Sequence, residues 1–151
     1  MLASDDLRRR MHQEHRTLRV LQEDLLDRFE AFCEEPTPVT HQAMVDVFGD
    51  FRASAQRHFD FEEDGGYLKS VVERRPHHTH HVETLRGEHD TIRDTLQRLV
   101  DELEADIMHD VERYAAFKRD FVALMRQFGR HEQAERELVM EVYWLEGGVS
   151  D

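Results

Sequence analysis

The chain has 151 residues, enough for one domain with a sizeable core, and its 33 acidic residues outnumber 20 basic ones to leave a formal net charge of −13. A surface this acidic repels nucleic acid and anionic membrane, which excludes both as main partners. The longest apolar runs, such as Phe121 to Met125, are far too short to span a bilayer, and the opening MLASDDLRRR lacks the apolar stretch of a secretion signal.

Strong breakers are few: EEPTP at 34–38, DGG at 64–66, Pro76, and GG at 147–148. No segment alternates as a strand would, and the apolar spacing predicts four helices. The first is expected from about Ser4, an N-cap with Asp5 and Asp6 in the first turn, to about Glu34. Its inward positions read Leu7, Met11, His15, Leu18, Gln22 with Leu21, Leu25, Phe29 and Phe32. The second is expected to start near Thr40, after Pro38, and run to about Asp64, with Met44, Phe48, Phe51, Ala55, His58 and Glu62 inward. The stretch YLKSVVERR, from Tyr67, is a candidate for a further helical turn or two. The third long helix follows Pro76, and its seam reads His81, Leu85, His89, Ile92, Leu96, Leu99 and Leu103. The fourth is expected from about Asp110 to Glu146, with Tyr114, Phe117, Phe121, Leu124, Phe128, His131, Glu135, Leu138, Val142 and Leu145 inward. Steps of three and four with short connections give an all-α fold, an up-down-up-down antiparallel four-helix bundle.

Six polar residues interrupt these seams: His15, His58, Glu62, His89, His131 and Glu135. His15 and His89 lie near the starts of their helices, and the other four lie toward the ends of theirs. Antiparallel packing therefore brings all six to one end of the core. Residues four apart share a helix face, so HFDFE and HEQAE each offer a nitrogen and an oxygen donor to one region. Four imidazoles and two carboxylates from four helices suit two ions, each taking two imidazoles, with both carboxylates bridging. Imidazole with carboxylate points to iron, and less distinctively to manganese or zinc. The competing reading is a metal-free interaction bundle in which buried His–Glu pairs satisfy each other. An uncompensated buried charge costs on the order of several kcal/mol, with no gain over leucine, which favours metal.

The ordered set His15, HFDFEEDGGYL, LRGEHDTIRDTL around His89, and HEQAERELV resembles the hemerythrin-like, or HHE cation-binding, family. The resemblance covers nearly the whole chain and implies a single domain over residues 1–151, a non-haem di-iron centre of two iron ions, and His15, His58, Glu62, His89, His131 and Glu135 as its metal ligands. One departure stands out. Oxygen-carrying members bear a second histidine on the third helix, four residues from the first, whereas Leu85 and Arg93 occupy the positions four from His89. The four-His, two-Glu set looks more like the di-iron domain of proteins that repair iron centres after nitrosative stress, without their paired-cysteine domain. The expected function is binding of O2 or a related small ligand, NO or peroxide. The alternative is a redox enzyme acting on peroxide or nitric oxide, or an iron donor in repair. The sequence carries no electron-donor motif, so the redox partner is unknown.

Other residues are assigned around this centre. His12 is expected in solvent, one turn before His15 but off the seam. The tract His77 to His81 lies about 12 Å or more along the helix from His89, too far to share its ions, with His81 capping the layer above the site. Glu63 and Glu88 adjoin seam residues and are candidates to orient imidazoles. Tyr67, after Gly65 and Gly66, is expected to fold over the end of the bundle or to pack on the surface there. Phe29, Phe48, Phe51, Phe61, Phe121 and Phe128 are core, and Trp144 is expected to cap the last seam. Cys33 is the only cysteine and cannot form an internal disulfide, which fits a cytoplasmic protein.

Overall fold

The computed structural model describes residues 4–64, 67–105, 107 and 110–145. Helix α1 spans Ser4–Glu34, α2 Pro38–Asp64, α3 Tyr67–Arg74, α4 Thr79–Glu104 and α5 Val111–Val139. A 3₁₀ turn, Pro76–His78, precedes α4, and a π-helical segment, Met140–Leu145, continues α5. There is no strand among the described residues. The four long helices, α1, α2, α4 and α5, pack in a closed cycle in that order, α5 returning to α1. This is the expected all-α four-helix bundle, with the short α3 as the anticipated extra turns. No described helix is long and apolar enough to cross a membrane.

Local chemistry sets the boundaries. Helix α2 starts at Pro38, two residues earlier than the spacing suggests, because proline at a first helical position gives up an N–H that would be unsatisfied anyway. Thr37 caps it. Its backbone N donates to Thr40 Oγ1 at 3.0 Å, and the Thr40 backbone N donates back to Thr37 Oγ1 at 3.1 Å. This reciprocal pair is a capping box with threonine in the place usually taken by Glu or Gln. Helix α5 starts where expected, its Arg113 backbone N donating to the Asp110 side chain at 3.0 Å. Two expectations shift. The α-helical ladder of α5 ends at Val139 rather than near Glu146, and the chain goes on in wider π turns that keep Val142 buried. At the start of α4 the buried residue is Val82, with His81 only partly covered, since valine needs no hydrogen-bond partner in an apolar layer. The turn at Gly65 and Gly66 and the side chains of Ser4, Trp144 and Leu145 lie outside the described residues.

The core has two apolar parts. The larger fills the body of the bundle with Phe29, Phe48, Phe51, Phe117, Phe121 and Phe128 among leucines from α1, α4 and α5 and Met44 and Ala55 of α2. The Phe29 and Phe121 rings stack at 4.7 Å, and Phe51 meets Phe128 edge-on at 5.2 Å. The smaller part closes one end, where α3 lays Tyr67, Leu68 and Val71 against Met11, Val82, Leu85, Leu138 and Val142. Tyr67 is therefore fully buried beneath the end of the bundle, not packed on its surface. Between the two parts lies a layer of polar side chains.

Candidate metal centre

All six polar seam residues reach that layer, and each is at least nine-tenths buried. Helix α1 supplies His15, α2 His58 and Glu62, α4 His89, and α5 His131 and Glu135. The four imidazoles turn Nε2 inward. The Nε2 atoms of His15 and His58 stand 3.0 Å apart. Glu135 reaches both halves of the layer: Oε2 lies 3.1 Å from His15 Nε2 and 3.5 Å from His58 Nε2, while Oε1 lies 3.1 Å from His89 Nε2 and touches His131 Nε2. Glu62 Oε1 lies 2.6 Å from His58 Nε2 and 3.7 Å from His89 Nε2. The donors form two groups that could each hold a metal ion: Glu62, His89, His131 and Glu135, and His15, His58 and Glu135.

The chemistry of these donors fits cations. Both Glu62 oxygens and His131 Nε2 are buried without a hydrogen-bond partner, although each group has a close neighbour of opposite type. Buried charge left in that state is costly unless metal or a partner compensates it. Two imidazole Nε2 atoms at 3.0 Å cannot both keep a proton without a clash, which also suits unprotonated donors.

The outer faces of three imidazoles meet carboxylates. Glu14 Oε2 accepts from His58 Nδ1 at 2.6 Å, and Glu88 Oε1 from His131 Nδ1 at 3.2 Å. Glu63 Oε1 stands 3.6 Å from His89 Nδ1, within ion-pair reach though beyond a hydrogen bond. Arg10 Nε steadies Glu14 Oε1 at 3.1 Å, and Arg93 donates to Glu63 Oε2 at 2.5 Å while also reaching Asp60 and Asp90. Arg93, four residues after His89, thus holds an outer carboxylate. These contacts fix ring orientation, which metal-bound histidine requires. Glu63 and Glu88 were expected in this role. Glu14 was not, although it adjoins His15 in sequence as Glu88 adjoins His89.

Two more residues escaped the sequence reading. The Phe59 ring stacks on His89 with centroids 4.1 Å apart and meets His131 edge-on at 5.8 Å, forming an apolar wall of the centre. Glu132 is buried between the His131 and Glu135 positions of α5, and its Oε1 has no hydrogen-bond partner. The other histidines stay outside. His12 is exposed, and the His77–His81 tract forms its own cluster, with His78 Nε2 3.3 Å from Glu141 Oε1. Cys33 lies at the opposite end of the bundle, its Sγ 2.9 Å from the Tyr114 hydroxyl.

Without metal the layer divides its charge unevenly. Burial pulls His58 down, but the charge of Glu62 and the carboxylates of Glu135 and Glu14 beside the ring outweigh it and hold the imidazole well above its usual pKa. Burial likewise opposes His131, yet Glu135 brings it up to about 9. Burial and the nearby Glu135 charge push the Glu62 carboxyl up to about 8. Glu135 goes the other way: burial would raise it, but the imidazoles of His131, His15, His58 and His89 hold it well below the carboxylate range. Two carboxylates in one dry layer thus differ by how many imidazoles each faces, and Glu135 is the anionic hub.

A buried two-part cluster of imidazoles and carboxylates in a four-helix bundle defines a metal-binding helical protein. The chain belongs to the hemerythrin HHE cation binding domain family, whose profile matches residues 6–143. Comparison with curated proteins and with solved structures returned no match.

Proposed function

We propose that the chain is a non-haem di-iron protein that binds dioxygen, or a related small ligand such as nitric oxide or peroxide, at a centre held by His15, His58, Glu62, His89, His131 and Glu135. The observation that carries this reading is the division of the donors into two groups that share Glu135. One imidazole pair, His15 and His58, faces Glu135 Oε2, and the other, His89 and His131, faces Oε1. Mixed nitrogen and oxygen donors suit iron, with manganese or zinc as competitors. When bound, two such ions supply Lewis acidity and one-electron chemistry at adjacent positions.

The chain's own residues do the rest. Glu14 and Glu88 take the Nδ1–H of His58 and His131, so that each ring offers an unprotonated Nε2 inward. Glu135, and beside it Glu62, bridge the two halves. Phe59 and the cap of Tyr67, Leu68 and Val71 keep bulk water from the layer.

A second reading is redox turnover of peroxide or nitric oxide, or donation of iron in repair. It is favoured by the donor count, since no fifth imidazole joins the two groups among the described residues. Fewer protein donors leave more open positions for reaction. The test is anaerobic iron loading followed by optical spectra with oxygen, nitric oxide and peroxide in turn. Reversible bands with one ligand support binding, and catalytic loss of peroxide or nitric oxide supports turnover. A chain that takes up no iron contradicts both.

A further inference from the structure

The outer carboxylates follow a rule of position. On α1 the acid beside His15 is Glu14, and it holds His58 of α2. On α2 the acid beside Glu62 is Glu63, and it faces His89 of α4. On α4 the acid beside His89 is Glu88, and it holds His131 of α5. Each helix thus sends the neighbour of its own seam donor to the imidazole of the next helix in the cycle. The fourth step would run from α5 to His15 of α1. Among the described residues no carboxylate oxygen lies within ion-pair distance of His15 Nδ1; only its Nε2 is engaged, by His58 and Glu135.

The acid beside His131 is Glu132. It is 6% exposed, while Gln133 and Glu137 on the same helix face solvent. Arg136 approaches its Oε2 at 3.5 Å, which leaves the buried Oε1 without a partner. A buried carboxylate oxygen in that state is costly and calls for a donor. His15 is electrostatically in reach of it. A cavity of about 180 Å³ opens on the His15 side, bordered by His15, Met11, Arg136 and Val139 but not by Glu132, so Glu132 meets the ring from within the protein.

We propose that Glu132 is the positioning carboxylate of His15, closing a four-membered ring of outer acids that runs α1 to α2 to α4 to α5 and back to α1. Its Oε1 accepts from His15 Nδ1–H, with Arg136 beside its other oxygen. This inference rests on the metal-centre reading above.

The test uses the full chain loaded with cobalt(II), in which the Nδ1–H protons of metal-bound imidazoles give hyperfine-shifted, exchangeable NMR signals. The unmodified protein should bind two cobalt ions and show four such signals, that of His15 assigned through its neighbours Met11 and Leu18. Glu132→Gln should shift the His15 signal alone, speed its exchange with solvent, and weaken metal binding about 10-fold or more. Glu132→Asp should restore part of the protection. If Glu132→Gln leaves the His15 signal and the affinity unchanged, or moves all four signals equally, the ring is not closed by Glu132. If the glutamine variant does not fold, the unmodified chain decides. A His15 proton as protected as those of His58 and His131 supports the proposal, and one that exchanges freely overturns it. Two bound ions with a silent Glu132→Gln sink this inference alone, whereas no bound ion sinks the reading beneath it.

Discussion

The phenylalanine-filled body of the bundle and the polar layer near its end are built on the same helices with the same steps of three and four. They differ in what completes them. In the body each ring finds its partners within the protein, as Phe29 does against Phe121. In the layer, both Glu62 oxygens and His131 Nε2 remain without hydrogen bonds although they are fully enclosed. The body is therefore finished by folding alone, while the layer is finished only by something that accepts donation from nitrogen and oxygen together. One repeating pattern has thus been used for two purposes, and the donors of the layer take on their cost for the sake of a cation.

That contrast can be broken from either side. The largest effect is expected from His131→Ala, which removes a donor facing Glu135 and should abolish loading of the two-metal centre. With the metal goes its linked stabilisation, about 4 kcal/mol for free metal at a thousandfold excess over its dissociation constant. Metal analysis and urea unfolding with and without ferrous iron check both, and unchanged metal content would count against the proposed ligand set. Phe121→Ala should do the opposite, lowering stability by about 3–5 kcal/mol through the cavity it leaves while the chain still takes up two ions. If that variant folds but takes up no metal, the body and the layer are not separable in the way described.

Smaller effects sharpen the boundary between the two regions. Glu14→Gln removes the charged acceptor from His58 Nδ1 and should weaken metal binding about 10-fold, or about 1.4 kcal/mol, with little change in helix content. A chelator competition curve gives the number. The smallest effect is expected at the exposed His77 and His80. Their replacement by alanine should change stability by about 0.5 kcal/mol or less and leave metal content at the centre unaltered. A loss of centre metal there would show that the tract feeds the site.

The parts that were legible in the sequence are those governed by one helix at a time. The seams from Leu7 to Phe32, from Met44 to Glu62, from Leu85 to Leu103, and from Tyr114 to Val142 follow from spacing, and the six polar interruptions fall out of them directly. What escaped depends on two helices together. Each helix of a four-helix bundle touches two neighbours, so its buried stripe is wider than a single seam, and Phe59, next to His58, lies in that extra width against His89 of α4. Glu14 and Glu132 stand off their own seams and act, or are placed to act, on the next helix round. Periodicity marks such residues as flanking and cannot name their targets. Val82 was displaced by His81 in the reading because a step of four from Leu85 fits the pattern as well as a step of three, and only the cost of an imidazole in the apolar cap separates them. The π turns after Val139 have no proline or glycine before them to announce a change of winding.

The central claim is that six buried donors from four helices hold two cations sharing Glu135. Anomalous diffraction from crystals of the iron-loaded chain, recorded at the iron edge, tests it most directly. Two peaks within the polar layer are predicted, one beside His15 and His58 and the other beside His89 and His131, with the Glu135 carboxylate between them. A single peak, or iron found only at the surface histidines, would contradict it.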